Sequence, residues 1–147
     1  MVVRPITSAD VDAVANLDAT TSGVAHWQRD DYARAAEPGS AIQCRVAEIA
    51  GEIIGFITAR TTLGETEILN IAVAKAHRRQ GVARKLVEDQ LDFRGTNVLF
   101  LEVRESNSAA RRFYEKMAFC ETGRRRGYYS NPTEDALLLR RDLRAGR

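Results

Sequence analysis

The chain has 147 residues, of which 44% are hydrophobic and 29% are charged, and its formal net charge is +2. This balance is that of an ordinary soluble globular protein, and the length suits one domain over residues 1–147. No apolar run approaches the roughly 20 residues that cross a bilayer, and the N-terminus lacks the pattern of a signal peptide. These features exclude a membrane-spanning protein and favour a cytoplasmic one.

The two cysteines, Cys44 and Cys120, lie far apart and match no metal-binding or redox spacing. We expect both to be buried free thiols in a reducing compartment. No other residue pattern indicates a metal site.

The charge is distributed unevenly along the chain. Residues 1–74 carry five arginines and ten acidic residues, a sum of −5, whereas residues 75–147 carry seventeen basic and ten acidic residues, a sum of +7. Such asymmetry suggests that the second half binds an anion and that the first half attracts cations. A solvated surface on both halves would give the same composition.

The first half of the chain alternates strand and helix patterns. A first strand over residues 2–6 contains Pro5, which favours the edge of a sheet. Thr7 or Ser8 can cap the helix that follows, which carries three apolar residues at helical spacing: Val11, Val14 and Leu17. The other predicted elements are a helix over residues 28–36, a hairpin of strands 43–49 and 52–60, and a strand over residues 67–73.

The second half has a β-α-β-α pattern and ends with two strands. The predicted elements are a helix over residues 81–91, a strand over 98–103, a helix after the cap cluster 106–108, and strands over 119–126 and 136–143. The last helix places Ala110, Phe113, Tyr114 and Met117 on one stripe. The total of about seven strands and four helices predicts a mixed α/β (α+β) domain.

The junction between the strand ending at Val73 and the helix starting near Gly81 is a candidate phosphate site. A helix start exposes free backbone N–H groups at the positive end of the helix dipole, and small residues let an anion approach them. Three basic side chains add charge here: Lys75, Arg78 and Arg79. The segment is neither a Walker loop nor a dinucleotide fingerprint. A solvated basic helix start explains the same residues equally well.

The segment Arg78-Arg79-Gln80-Gly81-Val82-Ala83 resembles the (Gln/Arg)-x-x-Gly-x-(Gly/Ala) motif of the GNAT acetyltransferases. The order of elements from Val2 to Leu143 is also similar to that family. Further segments are similar to the branch that acetylates the N-terminal alanine of a small-subunit ribosomal protein: residues 70–73, 101–104, 106–110, 113–116 and 124–129.

The resemblance implies a central mixed, mostly antiparallel seven-stranded sheet flanked by four helices. Two central strands, ending near Val73 and Val103, would splay apart to admit acetyl-CoA. The pantetheine arm would pair with the backbone of β-strand residues before the loop, and the pyrophosphate would bind the amides of residues 79–83. The implied cofactor-binding residues are Ile71, Ala72, Val73, Arg78, Arg79, Gln80, Gly81, Val82, Ala83 and Asn107.

The same resemblance implies that Glu102 is the general base and that Tyr114 is the general acid. Acetyl transfer to an amine needs a proton acceptor for the ammonium and a proton donor for the departing thiolate. Glu102 is the only charge in the run 98–103, and Tyr114 lies on the apolar stripe of its helix. The residues alone favour the alternatives that Glu102 pairs with an arginine at the solvated end of its strand and that Tyr114 is an ordinary core aromatic, and the resemblance reverses this preference.

The implied acceptor is a protein N-terminus, such as that of a ribosomal protein, with no direct binding of nucleic acid. Tyr128 and Tyr129 are candidate acceptor-binding residues, on a predicted loop between the last two strands, with at least one of them in the core. Residues 23–31 are only loosely similar to the family's acceptor-recognition region. Ala118 stands where the family has a glycine, at a position that often needs a positive φ.

Two alternatives to this acceptor stay open. The first is a GNAT enzyme that acts on lysine side chains, polyamines or another small amine. The second is a basic ribosome-binding or RNA-binding module that uses Arg124-Arg125-Arg126 together with the two tyrosines.

Overall fold

A computed structural model of the protein describes residues 1–21, 27–92 and 95–143. Seven strands and four α-helices lie in these ranges: β1 (Val2–Pro5), α1 (Val11–Thr20), α2 (Arg29–Ala35), β2 (Gln43–Ile49), β3 (Glu52–Thr62), β4 (Glu65–Val73), α3 (Val82–Leu91), β5 (Val98–Arg104), α4 (Ser108–Lys116), β6 (Cys120–Tyr129) and β7 (Glu134–Asp142). The predicted mixed α/β class is confirmed. In these ranges, no helix combines the length and the apolar character that crossing a membrane requires.

The seven strands form one sheet in the order β1-β2-β3-β4-β5-β7-β6, with β1 at an edge as Pro5 predicts. Every neighbouring pair is antiparallel except β4 and β5, which are parallel. These two strands pair only where residues 65–67 meet residues 98–100. Beyond that point β4 runs on to Val73 and β5 to Arg104 without pairing with each other, so the predicted splay of the two central strands is confirmed.

Alternation along the strands divides the apolar residues between the two faces of the sheet. On one face, α3 and α4 cover a core that includes Leu99, Leu101 and Val103 of β5. On the other face, α1 and α2 cover β2, β3 and β4, with Phe56 at the centre of that core. The residues of β5 that alternate with the first core, Phe100, Glu102 and Arg104, are only half-buried. We call this part of the sheet the open face.

Helix α3 packs closely on the sheet because of Gly55 in β3. A Cβ atom at residue 55 would lie 3.0 Å from the Ala72 carbonyl oxygen and 3.1 Å from Cγ1 of Val82. Because residue 55 has no side chain, the first turn of α3 can approach the start of β3 and the end of β4. Val82 and Leu86 are buried there, and burying such a side chain contributes about 2 kcal/mol. This packing fixes where the helix begins relative to the splayed strands.

Three predictions about local structure differ from the fold. Residues 8–10 form a short 3-10 turn before α1 because Thr7 and Asp10 make a capping box. Helix α3 starts at Val82 and not at Gly81, whose φ of 80° places it outside the helix. Cys44 is buried as expected, but Cys120 is exposed because it begins the edge strand β6.

Ala118 adopts the positive φ that its position requires. Its φ is 68°, just after α4, and its side chain is exposed. We expect Ala118→Gly to stabilise the protein by about 1 kcal/mol, because a left-handed conformation is strained for alanine and not for glycine. Chemical denaturation measures this change.

Ala109→Gly is the matched control, since Ala109 is also exposed but lies inside α4. There the same substitution should destabilise the protein by about 0.5–1 kcal/mol. Destabilisation of similar size in both variants would contradict the claim that backbone strain exists at residue 118.

Candidate active site

The splayed strands open a cleft of about 1370 Å³ through the middle of the sheet. Its walls are the second half of β4, the end of β5, the loop and first turn of α3, and the inner side of α4. Of the predicted site residues, all but Gln80 and Tyr128 line this cleft. The side chain of Gln80 is exposed and donates to the Ala76 carbonyl oxygen at 3.4 Å.

The loop before α3 presents unpaired backbone amides to this cleft. Arg79 and Gly81 have φ values of 63° and 80°, and such left-handed residues turn successive N–H groups toward one side. No side chain caps α3, and its first turn contains no acidic residue. Among the residues that the structure describes, none accepts a hydrogen bond from the amides of residues 81–84. These donors, at the positive end of the helix dipole, suit the pyrophosphate of coenzyme A.

Two arginines and an open strand edge complete the part of the cleft that suits coenzyme A. Arg78 and Arg79 both line the cleft, and Nε of Arg78 donates to the Val73 carbonyl oxygen at 3.3 Å. The backbone of Ile71 and Val73 lies beyond the last pair between β4 and β5, so that edge can accept an added strand. The residues present therefore fit acetyl-CoA. In the described ranges, no cluster of His, Cys, Asp or Glu side chains could hold a metal ion.

Glu102 lies near the end of β5 and lines the cleft from the open face. Its carboxylate Oε1 lies 3.2 Å from Nε of Arg125 on β6, and 17% of the Glu102 side chain is exposed. Glu102 therefore pairs with an arginine, as the alternative reading of the sequence predicted. The arginine comes from the neighbouring part of the sheet and not from β5 itself. A carboxylate paired on one oxygen keeps its other oxygen for a second donor.

Tyr114 lies on α4 and is buried, with 4% of its surface exposed. Its ring packs edge-on against Phe113 and Phe119, at centroid distances of 4.9 and 5.2 Å. Burial raises the pKa of the Tyr114 phenol, so this group keeps its proton at physiological pH. The residue therefore both fills the core and lines the cleft, and the two readings of the sequence are compatible.

Tyr128 and Tyr129 were predicted on a loop, and this placement is wrong because both belong to strand β6. The expectation that one of them fills the core is also wrong, since Tyr128 is 51% exposed and Tyr129 is half-buried. The strand continues through Gly127, whose φ of 60° accompanies an irregular register before Tyr129 pairs with Glu134. Aromatic residues favour strands, and this preference outweighs the turn signal of the glycine.

Only Tyr129 of this pair lines the cleft. The guanidinium carbon of Arg104 lies 4.1 Å from its ring centroid, a cation–π contact that holds the ring beside β5. Burial, and then the nearby Glu102 carboxylate, raise the pKa of the Tyr129 phenol. Tyr129 and Glu102 therefore lie close enough to interact electrostatically.

Asn107 also lines the cleft, but its side chain already has a structural role. Its Oδ1 accepts from the Ala110 backbone N–H at 3.2 Å, which caps α4. This cap holds the helix that carries Tyr114.

A buried polar network that the sequence analysis missed borders the cleft. The Tyr32 hydroxyl donates to the Asp18 carboxylate, which also accepts from the Trp27 backbone N–H at 3.0 Å. Asn70, which lines the cleft, donates from Nδ2 to the Tyr32 hydroxyl at 3.2 Å. Asp18 falls on the same helical stripe as Val11 and Val14, and an acidic residue on an apolar stripe was the available signal.

Residues 23–31, predicted to include acceptor-recognition elements, lie partly outside the described ranges. The described part contains Trp27, whose ring packs 5.4 Å from that of Tyr32. The network of Asp18 and Tyr32 therefore anchors the described end of this region to the core.

The arginine run on β6 is largely neutralised by neighbouring carboxylates. Nη1 of Arg124 lies 3.1 Å from Glu105 and 2.9 Å from Asp135, and Arg125 pairs with Glu102. An RNA-binding surface needs cations that are free to meet phosphates. The pairing of two of the three arginines weighs against the alternative of a nucleic-acid-binding module.

A family model described as "Acetyltransferase (GNAT) family" matches residues 11–119. The chain therefore belongs to the GNAT acetyltransferase family. It is 40% identical over 94 residues to the [ribosomal protein bS18]-alanine N-acetyltransferase of Escherichia coli (strain K12). It is 36% identical over 100 residues to the N-alpha-acetyltransferase RimI of Mycobacterium tuberculosis.

The crystal structure of the Escherichia coli ribosomal-protein-S18-alanine N-acetyltransferase has the same fold. Its TM-score to this chain is 0.84 at 28% identity, over 97% of this chain and 93% of that one. The alignments with the Escherichia coli and Mycobacterium tuberculosis enzymes cover 60% and 65% of this chain. The chain spans only 64% and 63% of their lengths, and 41% of an uncharacterized Mycobacterium leprae protein to which it is 35% identical over 149 residues.

Proposed function

We propose that this enzyme transfers acetyl from acetyl-CoA to the α-amine of a protein N-terminus, such as the N-terminal alanine of a ribosomal protein. The observation that carries the proposal is the meeting of Glu102 and Tyr114 at one cleft. Glu102 reaches it from the open face, and Tyr114 reaches it from the helix-covered face. The two groups can therefore serve opposite sides of a substrate held between the splayed strands.

Acetyl-CoA supplies the electrophile, which is the carbonyl carbon of its thioester. The amine nitrogen forms a bond to this carbon, the carbon–sulfur bond breaks, and coenzyme A leaves. The amine attacks in its neutral form. Glu102 accepts the proton that the nitrogen loses as the amide forms, directly or through water, and the Tyr114 hydroxyl donates a proton to the sulfur, so that one proton is accepted and one is donated in each turnover. The backbone N–H of Ala72 or Val73 polarises the thioester carbonyl.

The open face favours an extended chain as the acceptor. Glu102, Tyr129 and Arg104 lie together where β5 and β6 border the cleft, and all three are only half-buried. The Tyr129 phenol can donate to a peptide carbonyl, and its ring offers an apolar surface to a side chain. The similarity to enzymes named for the alanine of bS18 supports an N-terminal amine as the acceptor that enters the cleft. A cytoplasmic location follows from such a partner.

The test is a set of three peptides incubated with the enzyme and acetyl-CoA. One begins with alanine and has a free α-amine, the second has the same sequence with a blocked α-amine, and the third offers only a lysine side chain. We expect acetylation of the first alone, located on the terminal nitrogen by fragmentation in mass spectrometry. Spermidine is included as a small-amine control.

Acetylation confined to the lysine peptide or to spermidine would overturn the N-terminal assignment and leave the acetyltransferase activity intact. A parallel incubation with a mixture of ribosomal proteins tests the partner. In that mixture, modification of lysines without any modified N-terminus would contradict the ribosomal-protein acceptor.

A further inference from the structure

A second cavity of about 350 Å³ adjoins Glu102 on the open face. Its lining comes from the start of β4, from the middle of β5 and from β6 and β7, and Arg125 is one of its residues. Glu102 is the residue that lines both this cavity and the larger cleft. An acceptor that approaches from the open face therefore meets the ion pair of Glu102 and Arg125 before it reaches the cleft.

We propose that Arg125 is a specificity-determining residue that makes the enzyme select acceptor amines in their neutral form. This inference rests on the proposed function, because it takes Glu102 as the group that meets the acceptor amine. The chemical class that it favours is the protein α-amine, and the classes that it disfavours are lysine side chains and polyamines.

The physical reason is competition for the Glu102 carboxylate. An unpaired carboxylate at the entrance would attract any ammonium, and a more highly charged polyamine would be attracted most. Arg125 lies 3.2 Å from Glu102 and cancels this attraction. A cation that approaches Glu102 also meets the charge of the guanidinium. A neutral amine is not repelled by the guanidinium, and it can still donate a hydrogen bond to the carboxylate.

Because α-amines and lysine amines differ in pKa, a preference for neutral amines becomes a preference for α-amines. An α-amine has a pKa near ~8, so about a tenth of it is neutral at pH 7. A lysine amine has a pKa near ~10.4, so fewer than about one in a thousand molecules are neutral. An enzyme that does not attract cations to Glu102 therefore encounters a far larger neutral fraction of an α-amine than of a lysine amine.

The arrangement around the pair supports a role for Arg125 in particular. Its guanidinium carbon lies 5.3 Å from the ring centroid of Tyr128, so a second contact holds it in place. Among the described residues, no other cation forms an ion pair with Glu102. The other charged or titratable groups near the pair are Glu65 and Glu67 on β4, Arg104 on β5, Tyr128 and Tyr129 on β6, and Glu134 and Arg140 on β7.

The test compares Arg125→Gln, which removes the charge, with Arg125→Lys, which keeps it. The value of kcat/KM is measured at pH 7 for two peptides of one sequence, the first with a free α-amine and no lysine, the second with a blocked α-amine and one lysine. In Arg125→Gln we expect the α-amine to lysine ratio to fall about fivefold, a size consistent with an arginine side chain that is 57% exposed. In Arg125→Lys the ratio should stay within about twofold of wild type.

A ratio in Arg125→Gln equal to that of wild type would overturn the inference. An equal fall in both variants would also overturn it, because it would show that geometry matters and charge does not. Should Arg125→Gln turn over too slowly to measure, the binding of spermidine, measured by calorimetry, replaces the ratio: the inference requires a lower Kd than in wild type. Wild-type activity confined to lysine would refute the proposed acceptor as well, whereas α-amine activity with an unchanged ratio refutes the role of Arg125 alone.

Discussion

Tyr114→Phe is expected to lower kcat about a hundredfold and to leave the KM for acetyl-CoA within about twofold of wild type. The substitution removes only the hydroxyl that would protonate the departing thiolate. The ring keeps its packing against Phe113 and Phe119. Steady-state rates at saturating acceptor, with acetyl-CoA varied, separate the two parameters.

Two further measurements distinguish this role from packing. Burial raises the pKa of Tyr114, so the wild-type phenol keeps its proton and should cause no loss of kcat on the alkaline side up to pH 10. The thermal midpoint of Tyr114→Phe should stay close to wild type, since the described residues include no hydrogen-bond partner of the hydroxyl. A kcat near that of wild type would reduce Tyr114 to a core aromatic.

Gly81→Glu is expected to raise the KM for acetyl-CoA by at least about thirtyfold, with little change in the KM of the acceptor. A carboxylate at residue 81 would stand at the start of α3, beside the amides that we propose for the pyrophosphate, and would repel it. Open space surrounds residue 81, with no atom within 4 Å of a Cβ built there, so the substitution causes no internal clash.

Gly81→Gln is the matched control, because it has nearly the same size and the same backbone strain at a φ of 80°. Its KM for acetyl-CoA should rise only a few fold, and the gap between the two variants should narrow as ionic strength increases. If the two variants had the same KM at low salt, the loop would not be the pyrophosphate site.

Much of the fold was predictable because local sequence patterns control local structure. The period-2 and period-3.6 spacing of apolar residues gave all seven strands and four helices. The strand end at Val73 was predicted to the residue, and the start of α3 was off by one because Gly81 caps the helix from outside. Ala118, a non-glycine residue where the family has glycine, has the positive φ that its position indicated.

Other features depended on residues far apart in the chain, and the sequence carried weak signals for them or none. The network of Asp18, Tyr32 and Asn70 joins α1, α2 and β4, which only packing brings together. The exposure of Cys120 follows from the place of β6 at the edge of the sheet. Strand β6 extends to Tyr129 because Glu134 of β7 pairs with that residue.

Short, local patterns in the loop before α3 and in the residues of β5 and α4 were enough to indicate the family. How these residues meet depends on the tertiary fold. The parallel pairing of β4 and β5 stops after Glu67 and Phe100, and this early end opens the cleft that Glu102 and Tyr114 share. The pairing of Glu102 with Arg125 was decided in the same way, because β7 sets the distance between β5 and β6 and no sequence spacing encodes it.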